Sequence, residues 1–66
     1  MKLHIEAVDG RRVSLLDDSG RVRPGRCAGR DVSGAALPEG EVVPDLDHYR
    51  RAARRGDITI VEEIAQ

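Results

Sequence analysis

A short stretch between a proline and a glycine most limits what this chain can fold into. Pro44 cannot continue a helix from upstream and holds the residue before it extended, while Gly56 suits the left-handed position that follows a helix. Asp45 or Asp47 can accept the first free N–H groups as an N-cap, and arginines near the other end complement the helix dipole. The sequence therefore predicts one short helix, over about residues 45–55.

This predicted helix has a narrow apolar stripe. Leu46, Tyr49 and Ala53 follow one another at helical spacing, with Tyr49 as the anchor toward the core. An isolated helix of about ten residues is only marginally stable, so the stripe must pack against other structure. The alternating residues that follow Gly56 predict a C-terminal strand at about residues 58–62, which is the nearest surface for it.

The N-terminal third predicts a small β-meander. Residues 2–8 alternate as a half-buried strand does, and Asp9-Gly10 is a strong hairpin-turn signal before a returning strand at residues 12–16. A second turn at residues 17–20 precedes a short third strand at residues 21–23. We expect the C-terminal strand to pair with this meander and the core to contain Leu3, Ile5, Val13, Leu15, Leu46, Ile58 and Ile60.

Residues 26–41 show no periodicity, because glycines and Pro38 interrupt them. Loops longer than about 12–15 residues are usually functional or flexible, so this segment is predicted to be an extended arm. The whole chain is then one α+β domain, residues 1–66, with a β-meander, a Gly/Pro-rich arm, one helix and a C-terminal strand.

Size and composition predict that this domain needs partners. It has 66 residues, no Phe, no Trp and one Tyr, so its core contributes only a few kcal/mol of net stability. We expect it to form oligomers or to dock on a larger protein. The lone Cys27 excludes an intrachain disulfide, and nothing resembles a signal peptide or a membrane span, which predicts a cytoplasmic chain without membrane partners.

The charge distribution is uneven although the net charge is only −1. Residues 1–30 carry +3 and residues 31–66 carry −4. The small net charge disfavours general affinity for nucleic acid. The asymmetry could favour head-to-tail contacts between copies, although such asymmetries are more often incidental to a charged surface.

No residue pattern points to catalysis. His4, His48 and Cys27 lack the spacing of a zinc or catalytic set, and the glutamate pairs lie among polar residues that would not separate their pKa values. We therefore predict no enzyme activity, no catalytic or metal-binding residues, no cofactor and no small-molecule substrate.

The helix arginines and the arm are the predicted contact surface. The residues are Arg50, Arg51, Arg54 and Arg55, followed by Leu37 and Pro38 in the arm. Three interpretations of the arginines stay open: protein–protein contact, which we favour, a solvated face that balances the helix dipole, and binding to a phosphate backbone. Val43, Pro44, Tyr49 and Gly56 are predicted to fix the helix and the chain on either side of it.

A family resemblance involves the same part of the chain. Its motifs, in order, are Val22-Arg23-Pro24-Gly25, Gly29-Arg30-Asp31, Ser33-Gly34, Leu37-Pro38, Val43-Pro44, Tyr49-Arg50-Arg51 and Gly56-Asp57-Ile58. Over about residues 22–60 they resemble the short domain-of-unknown-function proteins of Mu-like tailed bacteriophages, encoded beside the tail-sheath gene. The family usually has Trp at the position of Arg50, and residues 1–21 are an N-terminal addition.

The resemblance implies a structural role in a phage particle. The chain would be a non-enzymatic virion protein of the tail or head–tail region, binding larger virion proteins or copies of itself as a lattice, decoration or connector component. It would be found in the virion, and in the host cytoplasm during assembly. The alternatives are a small DNA-binding or regulatory module that uses the arginine helix, and an assembly factor absent from the mature particle.

Overall fold

A computed structural model describes residues 1–65 of the chain. Over these residues the α+β fold class is confirmed, with five strands in two antiparallel sheets and one short helix. In chain order the elements are β1 (Lys2–Ala7), β2 (Ser14–Leu16), β3 (Val22–Cys27), β4 (Glu41–Pro44), α1 (Asp47–Arg55) and β5 (Ile58–Ile64).

The larger sheet has three strands in the order β4-β1-β5, so the N-terminal strand lies in the middle. Leu3 of β1 lies opposite Val43 of β4, and Ala7 lies opposite Ile58 of β5. The pairing of β1 with the C-terminal strand is as the sequence predicts. The β1–β5 register shifts by one residue beside Val61, where a β-bulge interrupts the ladder.

The predicted hairpin between the first two strands is wrong. β1 pairs with β4 and β5, whereas β2 pairs with β3 in a separate two-stranded sheet. The chain does turn after Asp9-Gly10, where the N–H of Arg11 donates to the carbonyl oxygen of Val8. The segment that follows leaves the sheet and packs over its face, because Val13 and Leu15 become part of the core there. β3 also continues to Cys27, beyond the predicted end of the third strand at residue 23.

The helix ends as predicted but begins differently. Gly56 adopts φ 84° and its N–H bonds back to the last turn, which confirms the C-terminal cap. The residue before the helix is Leu46 and no side chain caps the first turn, so the N-cap prediction for Asp45 or Asp47 is wrong. Asp45 and Asp47 instead hold arginines of the helix, Arg50 and Arg51, in ion pairs.

The core lies between the three-stranded sheet on one side and α1 with β2 on the other. Nine apolar residues are buried there, including Tyr49, which has no exposed surface. Of the seven predicted core residues, five are buried, and Leu46 and Ile60 pack against them partly buried. Val42, on the opposite face of the sheet, is 53% exposed. The second face of the sheet is therefore only partly covered within residues 1–65, by the chain around Glu39 and Gly40 at His4.

The predicted extended arm, residues 26–41, is instead folded back on itself. Its turn at Asp31–Gly34 has the same hydrogen bonds as the turn at Asp17–Gly20: in each, the aspartate accepts from the serine two residues on and from the backbone N–H four residues on. A bridge between Arg30 and Ala36 closes the second turn. The sequence Asp-x-Ser-Gly occurs at both places, and this repeated turn is a signal that the sequence analysis missed.

Candidate functional site

Arg50, the first residue of the predicted contact surface, is held by two carboxylates of its own chain. Its guanidinium contacts both oxygens of Asp45 at 2.7 and 2.8 Å and Glu63 of β5 at 2.6 Å. The hydrogen bond from Arg50 lowers the pKa of the Asp45 carboxyl, and the two carboxylates raise the pKa of Arg50. Arg50 thus connects the start of the helix to the end of the last strand.

The other three helix arginines are more exposed. Arg51 pairs with Asp47 one turn earlier, at 3.2 Å with both side chains largely in solvent. Arg55 shares the carboxylate of Asp57 with Arg11, at 3.1 and 3.3 Å. Surface pairs of this kind contribute little stability and exchange readily for a partner's carboxylates. Three of the four arginines therefore have a carboxylate partner within the chain.

Arg54 differs from the other three. It is exposed, and no carboxylate within residues 1–65 approaches it to within 4.0 Å. It lies one helical turn beyond Arg50, so both side chains lie on the same flank of α1. Of the predicted arginine surface, Arg54 is the member best placed to bind a group from another molecule.

Leu37 and Pro38 lie in the folded segment rather than on an extended arm. Leu37 is half-buried, and its N–H donates to the carbonyl oxygen of Gly29 at 2.8 Å, whereas Pro38 is exposed. Gly40, two residues further, packs closely on β1, because a β-carbon there would clash with the carbonyl oxygen of Ile5. This part of the chain is fitted against the sheet.

Arg30 holds this segment in place through hydrogen bonds of its side chain, a role that the sequence does not predict. Its side chain is buried, with 8% exposed, and donates to the carbonyl oxygens of Val8, Arg11 and Gly34 at 2.9, 3.1 and 2.9 Å. These contacts tie the loop after β1 to the turn at residues 31–34. A single arginine in a glycine-rich segment carries no signal that distinguishes this role from a surface position.

The four residues predicted to fix the helix lie in structurally demanding positions. Val43 is buried, Pro44 ends the edge strand β4, and Gly56 closes the helix. The Tyr49 hydroxyl accepts from the N–H of Leu16 at 2.8 Å and donates to its carbonyl oxygen at 3.3 Å. Burial raises the pKa of Tyr49. Tyr49 therefore joins the helix to β2 through both its ring and its hydroxyl.

An open groove of about 190 Å³ runs between the edge strand β4 and the β2–β3 hairpin. Its apolar lining includes Leu15, Leu16 and Pro44, and Lys2 and Arg23 lie among its charged residues. Pockets for small-molecule ligands are usually about 300–1,000 Å³ and more enclosed. The groove is better suited to a side chain of another protein than to a metabolite.

The histidines are both engaged with backbone oxygens. Nε2 of His4 lies 2.6 Å from the carbonyl oxygen of Glu39, and Nε2 of His48 lies 2.9 Å from that of Ser14. Among residues 1–65, no group of three or more His, Cys, Asp or Glu side chains is arranged to hold a metal ion. The only helix in this part of the chain is too short and polar to cross a bilayer.

Comparison with models of protein families, with curated proteins and with solved structures finds no match for the chain. The resemblance to the Mu-like phage proteins therefore stays a prediction from the motifs.

Proposed function

We propose that this chain is a non-enzymatic structural protein that acts through protein–protein contacts in a tailed phage particle, in the tail or head–tail region. The observation that carries the proposal is the partly open second face of its main sheet, where Val42, Glu6 and Thr59 are exposed. A domain with so small a core gains stability when a partner covers such a surface. The phage setting rests on the resemblance of residues 22–60.

The helix arginines fit a protein partner better than a nucleic acid. Arg50, Arg51 and Arg55 already hold carboxylates of the chain, and the net charge of the whole chain is −1. A phosphate backbone would have to compete with those carboxylates while the acidic groups nearby repelled it. A carboxylate of a partner protein can bind Arg54 directly, or can replace Asp47 as the partner of Arg51.

Mass spectrometry of purified particles tests the setting. Phage particles induced from the genome that encodes the chain should contain it in a fixed ratio to the other virion proteins. Its absence from particles that assemble normally would contradict the virion role and support an assembly factor.

A substitution in the helix tests the contact surface. Arg54→Glu in a tagged chain should lower its incorporation into particles, because the substitution reverses the charge without breaking a contact within the chain. Arg12→Glu, at another exposed arginine, is the matched control and should incorporate normally. Equal incorporation of both variants would refute the role of Arg54, and tight, salt-sensitive binding of the chain to DNA would favour the DNA-binding alternative.

A further inference from the structure

Two strand edges of the molecule are open and carry opposite charges. β5 is an edge strand of the three-stranded sheet, and β3 belongs to a sheet with only two strands. Within residues 1–65 no further strand pairs with the outer side of either. Open edges present unpaired N–H and C=O groups that can accept another strand.

The open side of β5 follows from the hydrogen bonds of its neighbours. The N–H of Asp45 donates to the carbonyl oxygen of Met1, so Met1 and Asp45 are a hydrogen-bonded pair at the end of the β1–β4 ladder. Because the backbone groups of successive residues in a strand point to opposite neighbours, Leu3 and Ile5 bond to β4 and Glu6 bonds to β5. Thr59, opposite Glu6, thus bonds to β1. The backbone groups of Ile58 and Ile60 then point away from the sheet, where an added strand would meet them.

The side chains at this edge are acidic around an exposed valine. Val61 is 50% exposed at the bulge, and Glu62 and Glu63 follow it. Glu63 forms an ion pair with Arg50, whereas no cation within residues 1–65 lies within 4.0 Å of Glu62. The bulge limits regular pairing to the residues on either side of Val61.

The edge of β3 has the complementary pattern. Val22 is 62% exposed and lies between Arg21 and Arg23, neither of which has a carboxylate within 4.0 Å among residues 1–65. Pro24 has no N–H to donate and is tolerated in an edge strand, so pairing would involve the residues before it. Arg23 also lines the groove beside β4.

We propose that these edges bind each other between copies, so that β3 of one chain pairs with β5 of the next in a head-to-tail contact. Glu62 and Glu63 point to opposite faces of β5, and Glu63 pairs with Arg50 on the core side. Arg21 and Arg23 share one face of β3 and would therefore face Glu62, and the two exposed valines would lie in the same contact. The charges of +3 on residues 1–30 and −4 on residues 31–66 favour the same polarity. Pairing of two β5 edges would instead bring carboxylates together, and pairing of two β3 edges would bring arginines together.

When β3 of one chain binds β5 of another, the pair still has one free β5 edge and one free β3 edge. Such contacts close into rings or continue as filaments. The inference rests on the proposed function, because it identifies other copies of the chain as one partner of this structural protein.

Light scattering of the purified chain over a range of concentrations and salt tests the contact. The mass should rise beyond twice the 7.2 kDa of one chain as concentration increases, and should fall as salt screens the charges. A monomer at every concentration, or a closed dimer that does not grow, would overturn the proposal. Neither result bears on the particle measurement above, so the two proposals can fail separately.

Charge reversal identifies the strands. Arg23→Glu and Glu62→Arg should each abolish the assembly, and mixing the two variants should restore it, because each then meets the opposite charge in the other. Arg12→Glu changes the net charge equally and should assemble like the unaltered chain. Circular dichroism verifies that every variant is folded. Loss of assembly in Arg12→Glu, or failure of the folded mixture to assemble, would overturn the assignment of β3 and β5.

Discussion

The buried guanidinium of Arg30 allows a quantitative prediction about stability. Replacing it in Arg30→Met keeps a long, flexible side chain but removes the three hydrogen bonds to the carbonyl oxygens of Val8, Arg11 and Gly34. The carbonyl of Val8 keeps its bond from the N–H of Arg11. Those of Arg11 and Gly34 lose the partner that Arg30 provides.

The expected loss follows from two opposing effects. Leaving a buried acceptor without a partner costs about 1–3 kcal/mol for each group. Removing a buried charge recovers part of the desolvation penalty, which is several kcal/mol for an ion in a protein interior. We expect a net loss of about 2–4 kcal/mol, comparable with the total of about 3–5 kcal/mol that a core of this size supplies. The variant should be substantially unfolded at room temperature.

Urea unfolding followed by circular dichroism measures this loss. With a slope of about 1 kcal/mol per M for a small domain, the midpoint should fall by about 2–4 M, which brings it close to zero urea. Arg54→Met is the control, because Arg54 is exposed and has no ion pair within residues 1–65, and its stability should stay within about 0.5 kcal/mol of the unaltered chain. An unchanged midpoint in Arg30→Met would show that the guanidinium does not hold the two loops together.

Three further predictions concern single contacts. Tyr49→Phe removes the acceptor of the Leu16 N–H and should cost about 1–2 kcal/mol in urea unfolding; no loss would mean that water replaces the hydroxyl. Gly40→Ala should lower the melting temperature, because its φ of 72° strains a side chain and the β-carbon meets the backbone of β1; an unchanged value would refute that packing. The Ser33 hydroxyl lowers the pKa of Asp31, so this carboxylate stabilises the fold above about pH 4, the range of an unfolded aspartate, and stops doing so as the pH falls through the lowered value. Asp31→Asn should flatten the acid limb of a stability curve, and an unaltered limb would contradict the assignment.

Local chemistry made the helix, four of the five strands and most of the core predictable, whereas β4 was not predicted as a strand. The left-handed cap at Gly56 and the stripe containing Tyr49 depend on neighbours in sequence, and both are confirmed. The N-cap prediction was wrong because Leu46 occupies the cap position, and Asp45 and Asp47 on either side of it pair with the arginines that follow them. Where a side chain has two good partners, spacing alone does not decide between them.

Strand partners were less predictable than strands. Asp9-Gly10 indicates a turn, but whether the strands on either side pair depends on which neighbour covers more apolar surface. Here β4 and β5 pair with the two hydrogen-bonding edges of β1, so the segment that follows β1 packs over the face of the sheet. The folded state of residues 26–41 depends on the burial of Arg30, which has no periodicity or motif of its own. The candidate contact arginines were predictable as a cluster, whereas the ion pairs that distinguish Arg54 from Arg50 required the three-dimensional structure.

The central place of β1 also has a consequence for how the chain folds. The first strand acquires both neighbours only after the last strand is available, since they follow it by roughly half and nearly all of the chain. During synthesis, the β2–β3 hairpin and the second Asp-x-Ser-Gly turn can form early, but β1 cannot gain its second neighbour until β5 has left the ribosome. Closing such distant contacts slows folding for a chain of this length. A ribosome-bound chain should therefore remain open to proteases until β5 emerges.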